Sequence, residues 1–291
     1  MEIPLLTIKE ALEKSADYLR KKNSPTARLD AEVLLSHVTG LSRLELYLQF
    51  DRPLSDAEKE RYRALLKRRG DHEPVAYITG KKEFMSLVFQ VTPAVLIPRP
   101  ETEILVEQAI RRIGEWKKAH EGRPPRVFEL GVGSGVISIA LVHHFTDLEV
   151  TGSDISAEAL AVARKNAEIH QVSERLRLLE GDLFAGDPGP FDFIISNPPY
   201  LAEKDRDALP PDIRVYEPAN ALFAGIEGLD TIHRVLEEGC KKISHDGWIL
   251  VEIGNDQSLK LLHKIDDLKI FRVVQVVEDY TGMVRVLCMM K

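Results

Sequence analysis

Residues 191–196, Phe-Asp-Phe-Ile-Ile-Ser, read as a strand, and the chain then runs Asn197-Pro198-Pro199-Tyr200. Proline lacks the N–H that a ladder needs, so a central strand must stop at this pair. Beyond the stop stand an Asn side chain, carbonyls of fixed direction and a Tyr ring, all at the strand's carboxyl end. In an open parallel α/β sheet that edge is where ligands bind. The set suits gripping a planar NH2 group. The amide oxygen of Asn197 and the carbonyl of Pro198 can accept its two N–H bonds, while the Tyr200 ring covers its face. The competing reading is an ordinary strand-ending turn, for which Asn-Pro is a common signal.

A second element narrows the choice. Arg126-Val127-Phe128 leads into Glu129-Leu130-Gly131-Val132-Gly133-Ser134-Gly135, and the apolar run 136–142 reads as a buried helix. Strand, glycine turn, helix is the setting of a nucleotide-type site, because glycines let the backbone turn sharply and approach a ligand. The dinucleotide fingerprint would need its third glycine where Val136 stands, which disfavours a pyrophosphate. The spacing suits a ligand with a single nucleoside and an amino-acid tail. A second strand, 149–153, ends in Asp154, placed to meet ribose hydroxyls, or else to cap the helix that follows. A third, 175–180, ends in Gly181-Asp182-Leu183-Phe184, with Asp182 as acceptor for an adenine amino group and Leu183 and Phe184 against its ring.

Strands and helices alternate through the rest of the chain, which predicts a mostly parallel, doubly wound sheet. Its last two strands, 271–277 and 283–289, are separated by Asp279-Tyr280-Thr281-Gly282, short enough for an antiparallel pair. Residues 1–75 read instead as a small helical domain. Thr7–Glu10 and Ser55–Glu58 are capping boxes; Leu12, Ala16 and Leu19 share one helix face, and Leu29, Val33 and Leu34 mark the next helix. Lys67-Arg68-Arg69 reads as a solvated helix end, with a local basic patch as the alternative. Residues 76–100 form a linker with a hairpin at 83–91, and residues 101–291 the catalytic domain. Cys240 and Cys288 lack metal or redox spacing and read as small buried residues. The nine histidines show no metal-ligand spacing, and no metal is expected.

Together these elements resemble the class I S-adenosylmethionine-dependent methyltransferases, whose Asn-Pro-Pro-Tyr element marks those that methylate planar amino groups. Closer still, the stretch from Val95 through Ile97-Pro98-Arg99-Pro100-Glu101-Thr102-Glu103 resembles the HemK/PrmC-type release-factor glutamine methyltransferases. So do Tyr216-Glu217-Pro218, Gly228-Leu229, Val251-Glu252-Ile253-Gly254 and Asp279–Gly282 with Arg285-Val286. The resemblance runs over nearly the whole chain. It implies a seven-stranded Rossmann-like sheet, S-adenosylmethionine as cofactor, and class I peptide chain release factors as protein substrate. It also implies Glu129 at the methionine moiety, and catalysis by Asn197, Pro198 and Tyr200. Glu217, in a Pro-rich loop, stands either as part of a lid over the substrate or as a solvated acid.

Two rivals remain at this level: a nucleic-acid amino-methyltransferase, and a non-catalytic S-adenosylmethionine-binding scaffold. The net charge of −7 disfavours the first, as does a near balance of 14 Lys/Arg against 13 Asp/Glu in the first 80 residues. The intact amide clamp disfavours the second. The start, Met1-Glu2-Ile3-Pro4, lacks a leader's basic-then-apolar pattern, and no apolar run approaches the ~20 residues of a membrane span. A cytoplasmic protein is expected.

Overall fold

The computed structural model describes residues 6–291; the opening segment read above as lacking a leader lies outside them. The chain divides into two compact units. The first takes the described residues through Lys81 together with Pro210–Tyr216, and the second takes Lys82–Leu209 and Glu217–Lys291. Among the described residues no helix is long and apolar enough to cross a membrane.

The first unit contains α1 (Ile8–Lys21), α2 (Ala27–Thr39), α3 (Arg43–Leu48), α4 (Asp56–Gly70) and α5 (Val75–Thr79). Both expected capping boxes form, and Ser42 with Glu45 makes a third at α3. Ile8, Leu12, Leu19, Leu34, Leu35, Leu46 and Tyr62 fill its core. Of the residues that mark α2, Leu34 is buried with Ala31, Leu35 and Val38, Val33 is half-buried and Leu29 is exposed. Asp30 and Glu32 are buried on the same helix. Asp30 accepts from Arg69 Nε at 2.7 Å, and Glu32 takes Arg28 and Arg43. Arg69 is therefore neither solvated nor part of a basic patch; both side chains of the pair are almost fully buried. The unit also extends past residue 75, since α5 buries Tyr77 and Ile78. Tyr216 belongs with it too, donating its hydroxyl to the Asp71 carbonyl at 2.8 Å.

The second unit opens with the hairpin β1 (Lys81–Phe84) and β2 (Leu87–Gln90), then α6 (Pro100–Ala119), β3 (Val127–Leu130) and α7 (Val136–His144). Next come β4 (Val150–Asp154), α8 (Ala157–Ile169), β5 (Leu176–Glu180), β6 (Phe191–Ser196) and α9 (Pro211–Tyr216), the last grouped with the first unit. The chain closes with α10 (Asp230–Lys242), β7 (Ile243–Glu252), α11 (Ser258–Leu268), β8 (Val273–Glu278) and β9 (Val284–Met290). Seven strands form one sheet in the order β5-β4-β3-β6-β7-β9-β8. The first five are parallel, and β9 runs antiparallel to both β7 and β8. All six residues of β6 are buried, as a central strand covered on both faces requires. Phe193 and Ile195 join one core with α6 and α7, whereas Ile194 joins the other with α10. This is the doubly wound sheet that the alternation predicts. Cys288 is buried and Cys240 only partly so; both are free thiols.

Candidate active site

Between β3 and α7 the backbone turns through Gly131, Gly133 and Gly135, each with positive φ. Gly135 is the N-cap of α7 at φ +84°, and a Cβ there would stand 3.1 Å from Ile139 Cδ1. Only glycine meets both demands. Asp154, at the end of β4, holds the loop from below. Its Oδ2 accepts from Gly133 N at 2.8 Å, and its Oδ1 accepts from Ser156 N at 2.9 Å. The cap of α8 is Ser156 rather than Asp154. Each Asp154 oxygen keeps a free lone pair for a ligand hydroxyl.

These ends of β3, β4, β5 and β6 surround a cavity of ≈ 370 Å³. Glu129, Gly131, Val132, Gly133 and Ser134 line it, as do Asp154, Asp182, Leu183, Asn197, Pro198 and Pro199. The structure thus gathers eleven of the thirteen candidate residues around one space. Gly135 sits behind the loop it shapes and Tyr200 behind the clamp; neither is on the cavity wall. Tyr200 packs on the core beside α10, and its hydroxyl donates to Glu252 Oε1 at 3.4 Å. A buried phenol needs such a partner, and the ring lies outside the residues that line the cavity. Phe184 also departs from expectation. It is fully buried between Phe128 and Phe191 and cannot cover an adenine. Asp182 reaches the cavity already ion-paired with Arg234, which lines it too.

Glu129 is buried at the base of the cavity. One carboxyl oxygen, Oε2, accepts from the Ser138 N–H at 2.9 Å and from the Ser138 hydroxyl. The other, Oε1, has no hydrogen-bond partner. Burial pushes its pKa up to about 8, against the opposing pull of Ser138. An orphaned carboxyl oxygen of this kind is complementary to a cation.

Asn197 donates from Nδ2 to Thr102 Oγ1 at 3.0 Å, so its carbonyl oxygen stays available as an acceptor. Thr102 comes from the first turn of α6. The stretch leading into that turn is bolted down by Glu217, whose Oε2 accepts from Ile97 N at 3.1 Å and which pairs with Arg99. Glu217 is thus a buried internal partner and not a solvated loop acid. Gln257 does the same for the far side of the clamp. Its Nε2 donates to the carbonyls of Tyr200 and Gly228 at 2.9 and 3.0 Å. Gly228 has φ +74°, and a Cβ there would stand 2.3 Å from the Tyr200 carbonyl oxygen. Asn166 ties the hairpin to the glycine loop by donating to the carbonyls of Gln90 and Ser134. Among these, Thr102, Arg99, Gly228 and Glu252 lie in quoted motifs whose roles sequence reasoning left unassigned. Gln257 and Asn166 carried no signal. The Asp279–Arg285 motif builds its own turn: Thr281 and Arg285 hold the Asp279 carboxyl well below the usual carboxylate range. Among the described residues no cluster of His, Cys, Asp or Glu is placed to hold a metal.

Comparison with known proteins bears on this geometry. Residues 10–80 match a family model described as the PrmC N-terminal domain, and residues 116–212 match one described as the methyltransferase small domain. The release factor glutamine methyltransferase of Rhodopirellula baltica is 38% identical over 288 residues, covering 98% of this chain and 96% of its own. That of Geobacter sulfurreducens is 42% identical over 258 residues, covering 88% and 87%. That of Escherichia coli is 38% identical over 247 residues, covering 84% and 85%. Among solved structures, a methyltransferase from Pyrococcus furiosus shares the fold with a TM-score of 0.52 at 19% identity, over 80% of this chain and 98% of that one.

Proposed function

The chain belongs to the family of release factor glutamine methyltransferases, and we propose that its cavity transfers a methyl group from S-adenosylmethionine to a glutamine side-chain amide. The acceptor is the glutamine of the Gly-Gly-Gln motif in class I peptide chain release factors, and the product is N5-methylglutamine. The observation that carries this reading is Asn197: its amide is held by Thr102 so that a carbonyl oxygen is left to accept, at the end of the central strand.

The cavity residues fit the cofactor. Glu129 Oε1, buried and unpartnered, suits the ammonium of its methionine moiety. Asp154 takes the ribose hydroxyls, Asp182 the adenine amino group and Leu183 the ring, and the 131–135 loop lets the backbone close on the ligand. When bound, S-adenosylmethionine supplies an electrophilic methyl group on a sulfonium. A carboxamide nitrogen is a poor nucleophile, so the protein's main task is to set it in line with that carbon. As the N–C bond forms, positive charge grows on the nitrogen and its protons become stronger donors. Asn197 Oδ1 and the Pro198 carbonyl then bind the group more tightly than in the ground state. The nitrogen sheds a proton to solvent afterwards, so no general base acts before transfer.

The test is to incubate the protein with labelled methyl donor and, separately, a class I release factor and DNA. Label in the release factor alone is the expected result. Label in DNA would move the assignment to a nucleic-acid amino-methyltransferase, and donor binding with no acceptor labelled would leave a scaffold.

A single glutamine offers little area for recognition, so a second contact with the release factor is required. The first unit supplies it in this reading. On α3, Leu44 and Leu48 share a face and are 70% and 76% exposed. Leu44→Glu with Leu48→Glu should raise the KM for intact release factor at least about tenfold through lost effective concentration, with kcat little changed. A short Gly-Gly-Gln peptide should not register the change. Equal effects on protein and peptide would remove α3 from the docking surface. Surface charge is a cleaner test than deletion of the first 75 residues, which would take the first residue of α5 and strip Tyr216 of its Asp71 partner.

A further inference from the structure

Among the described residues that line the cavity stands a single aromatic ring, Phe223, to which the proposed reaction gives no task. It is half-buried. A parallel bridge joins it to Leu201, the residue that follows the Asn-Pro-Pro-Tyr turn. Leu201 N donates to the Leu222 carbonyl at 2.9 Å, and Ala224 N donates to the Leu201 carbonyl at 3.0 Å. The ring is thus carried by a backbone ladder that begins one residue beyond the clamp.

What stands behind the ring decides its use. The Arg206 guanidinium lies over one face, 3.9 Å from the centroid. Glu203 holds that guanidinium in a two-bond fork: Arg206 Nε donates to Oε2 at 3.0 Å and Nη2 to Oε1 at 3.1 Å. Glu203 is tied to the same ladder, its N–H donating to the Gly225 carbonyl at 2.9 Å. A guanidinium this close holds the ring by cation–π attraction. One face of Phe223 is therefore taken, and the ring is kept from swinging out, which leaves the other face to the cavity. A flat apolar surface fixed beside an amide clamp is complementary to a flat group. The adenine is the cofactor's flat group, but its residues, Asp182 and Leu183, follow β5, three strand positions from β6. Phe223 is laddered to the segment that leaves β6, and so belongs to the acceptor end.

We propose that Phe223 is the ring that covers the acceptor: Asn197 and Pro198 grip the edge of the incoming carboxamide, Phe223 supports its face, and Arg206 braces the ring from behind. The inference rests on the amide-clamp reading above. Hydrogen bonds to one NH2 group fix its edge but leave the amide plane free to tilt. The nitrogen's nucleophilic orbital stands perpendicular to that plane, so the methyl group must arrive on one face. A ring against the opposite face removes the tilt and keeps the orbital in line with the methyl carbon. Phe223 thereby takes the part expected of Tyr200.

Phe223→Leu keeps apolar bulk and loses the plane. Its kcat/KM should fall about tenfold, and equally on intact release factor and on a short Gly-Gly-Gln peptide, because the ring acts on the glutamine itself. Single-turnover rates at saturating S-adenosylmethionine should carry the same loss. Calorimetric affinity for S-adenosylmethionine should be unchanged, as should the melting temperature within a few degrees. Phe223→Tyr, which retains the ring, should recover most of the activity. Arg206→Ala frees the ring without removing it; it should lose less, and cost nothing further in a Phe223→Leu background. Wild-type kcat/KM in Phe223→Leu overturns the proposal, as do equal losses in the Leu and Tyr variants. A loss that falls on S-adenosylmethionine affinity also overturns it, by moving the ring to the adenine end. If Phe223→Leu does not fold, Arg206→Ala decides, and wild-type turnover there overturns it. Asn197→Ala separates the two levels. An active Asn197→Ala removes the clamp itself, whereas an inactive one beside a fully active Phe223→Leu removes only the ring.

Discussion

Asn197→Ala is expected to lose about 10²–10³ in kcat, the usual cost of removing one preorganised partner of developing charge. The side chain lies at the end of a strand buried along its whole length, so the backbone has little freedom to compensate. It donates to a single neighbour, the Thr102 hydroxyl, which belongs to the first turn of α6 and carries no strand pairing. Folding and cofactor affinity should therefore be largely retained, and single-turnover kinetics should place the loss in the chemical step. Near-normal turnover would remove Asn197 from the reaction.

Asp154→Ala is expected to act on the cofactor rather than on the chemistry. Its carboxylate holds Gly133 N and Ser156 N in the structure, and in the proposed complex it also accepts from the ribose. Hydrogen bonds to a charged acceptor contribute roughly 1.5–3 kcal/mol each. The Kd for S-adenosylmethionine should thus rise at least about tenfold per ribose bond lost, as read by calorimetric titration. Asp154→Asn, which preserves shape and one acceptor oxygen, should fall between Ala and wild type. Unchanged affinity in Asp154→Ala would exclude the residue from the site. NAD should give no binding signal, since Val136 takes the place of the glycine that a pyrophosphate needs.

What could be read along the chain were features whose cause lies within a few residues. The proline pair ends β6 wherever it is put, the three glycines can turn the loop before α7, and Thr7 and Ser55 cap helices through an acid three positions on. Alternation of such segments leaves a parallel sheet as the way to bury them, and parallel order brings the ends of β3, β4, β5 and β6 to one edge. The residues at those ends, Glu129 to Gly135, Asp154, Asp182 and Asn197, are therefore neighbours before any coordinate is known. That is why the cavity and the residues around it were legible.

Polar partnerships across long sequence distances were not. Arg69 reads as a solvated helix end until Asp30 is found beside it in the core, and Glu217 as a loop acid until Ile97 and Arg99 arrive from more than a hundred positions away. Phe184 and Tyr200 were each expected over a ligand. Phe184 went instead to the aromatic core with Phe128 and Phe191, and Tyr200 stands behind the cavity wall with its hydroxyl on Glu252. For Arg69, Glu217 and Tyr200 desolvation decides: a buried charge or hydroxyl must find its partner wherever the fold supplies one. The sequence alone determined which side chains reach the sheet's carboxyl edge, because strand ends and turns are local. Which way those side chains face, and which of them touch a ligand rather than hold one that does, only the tertiary structure decided, because burial and hydrogen-bond satisfaction belong to the whole fold.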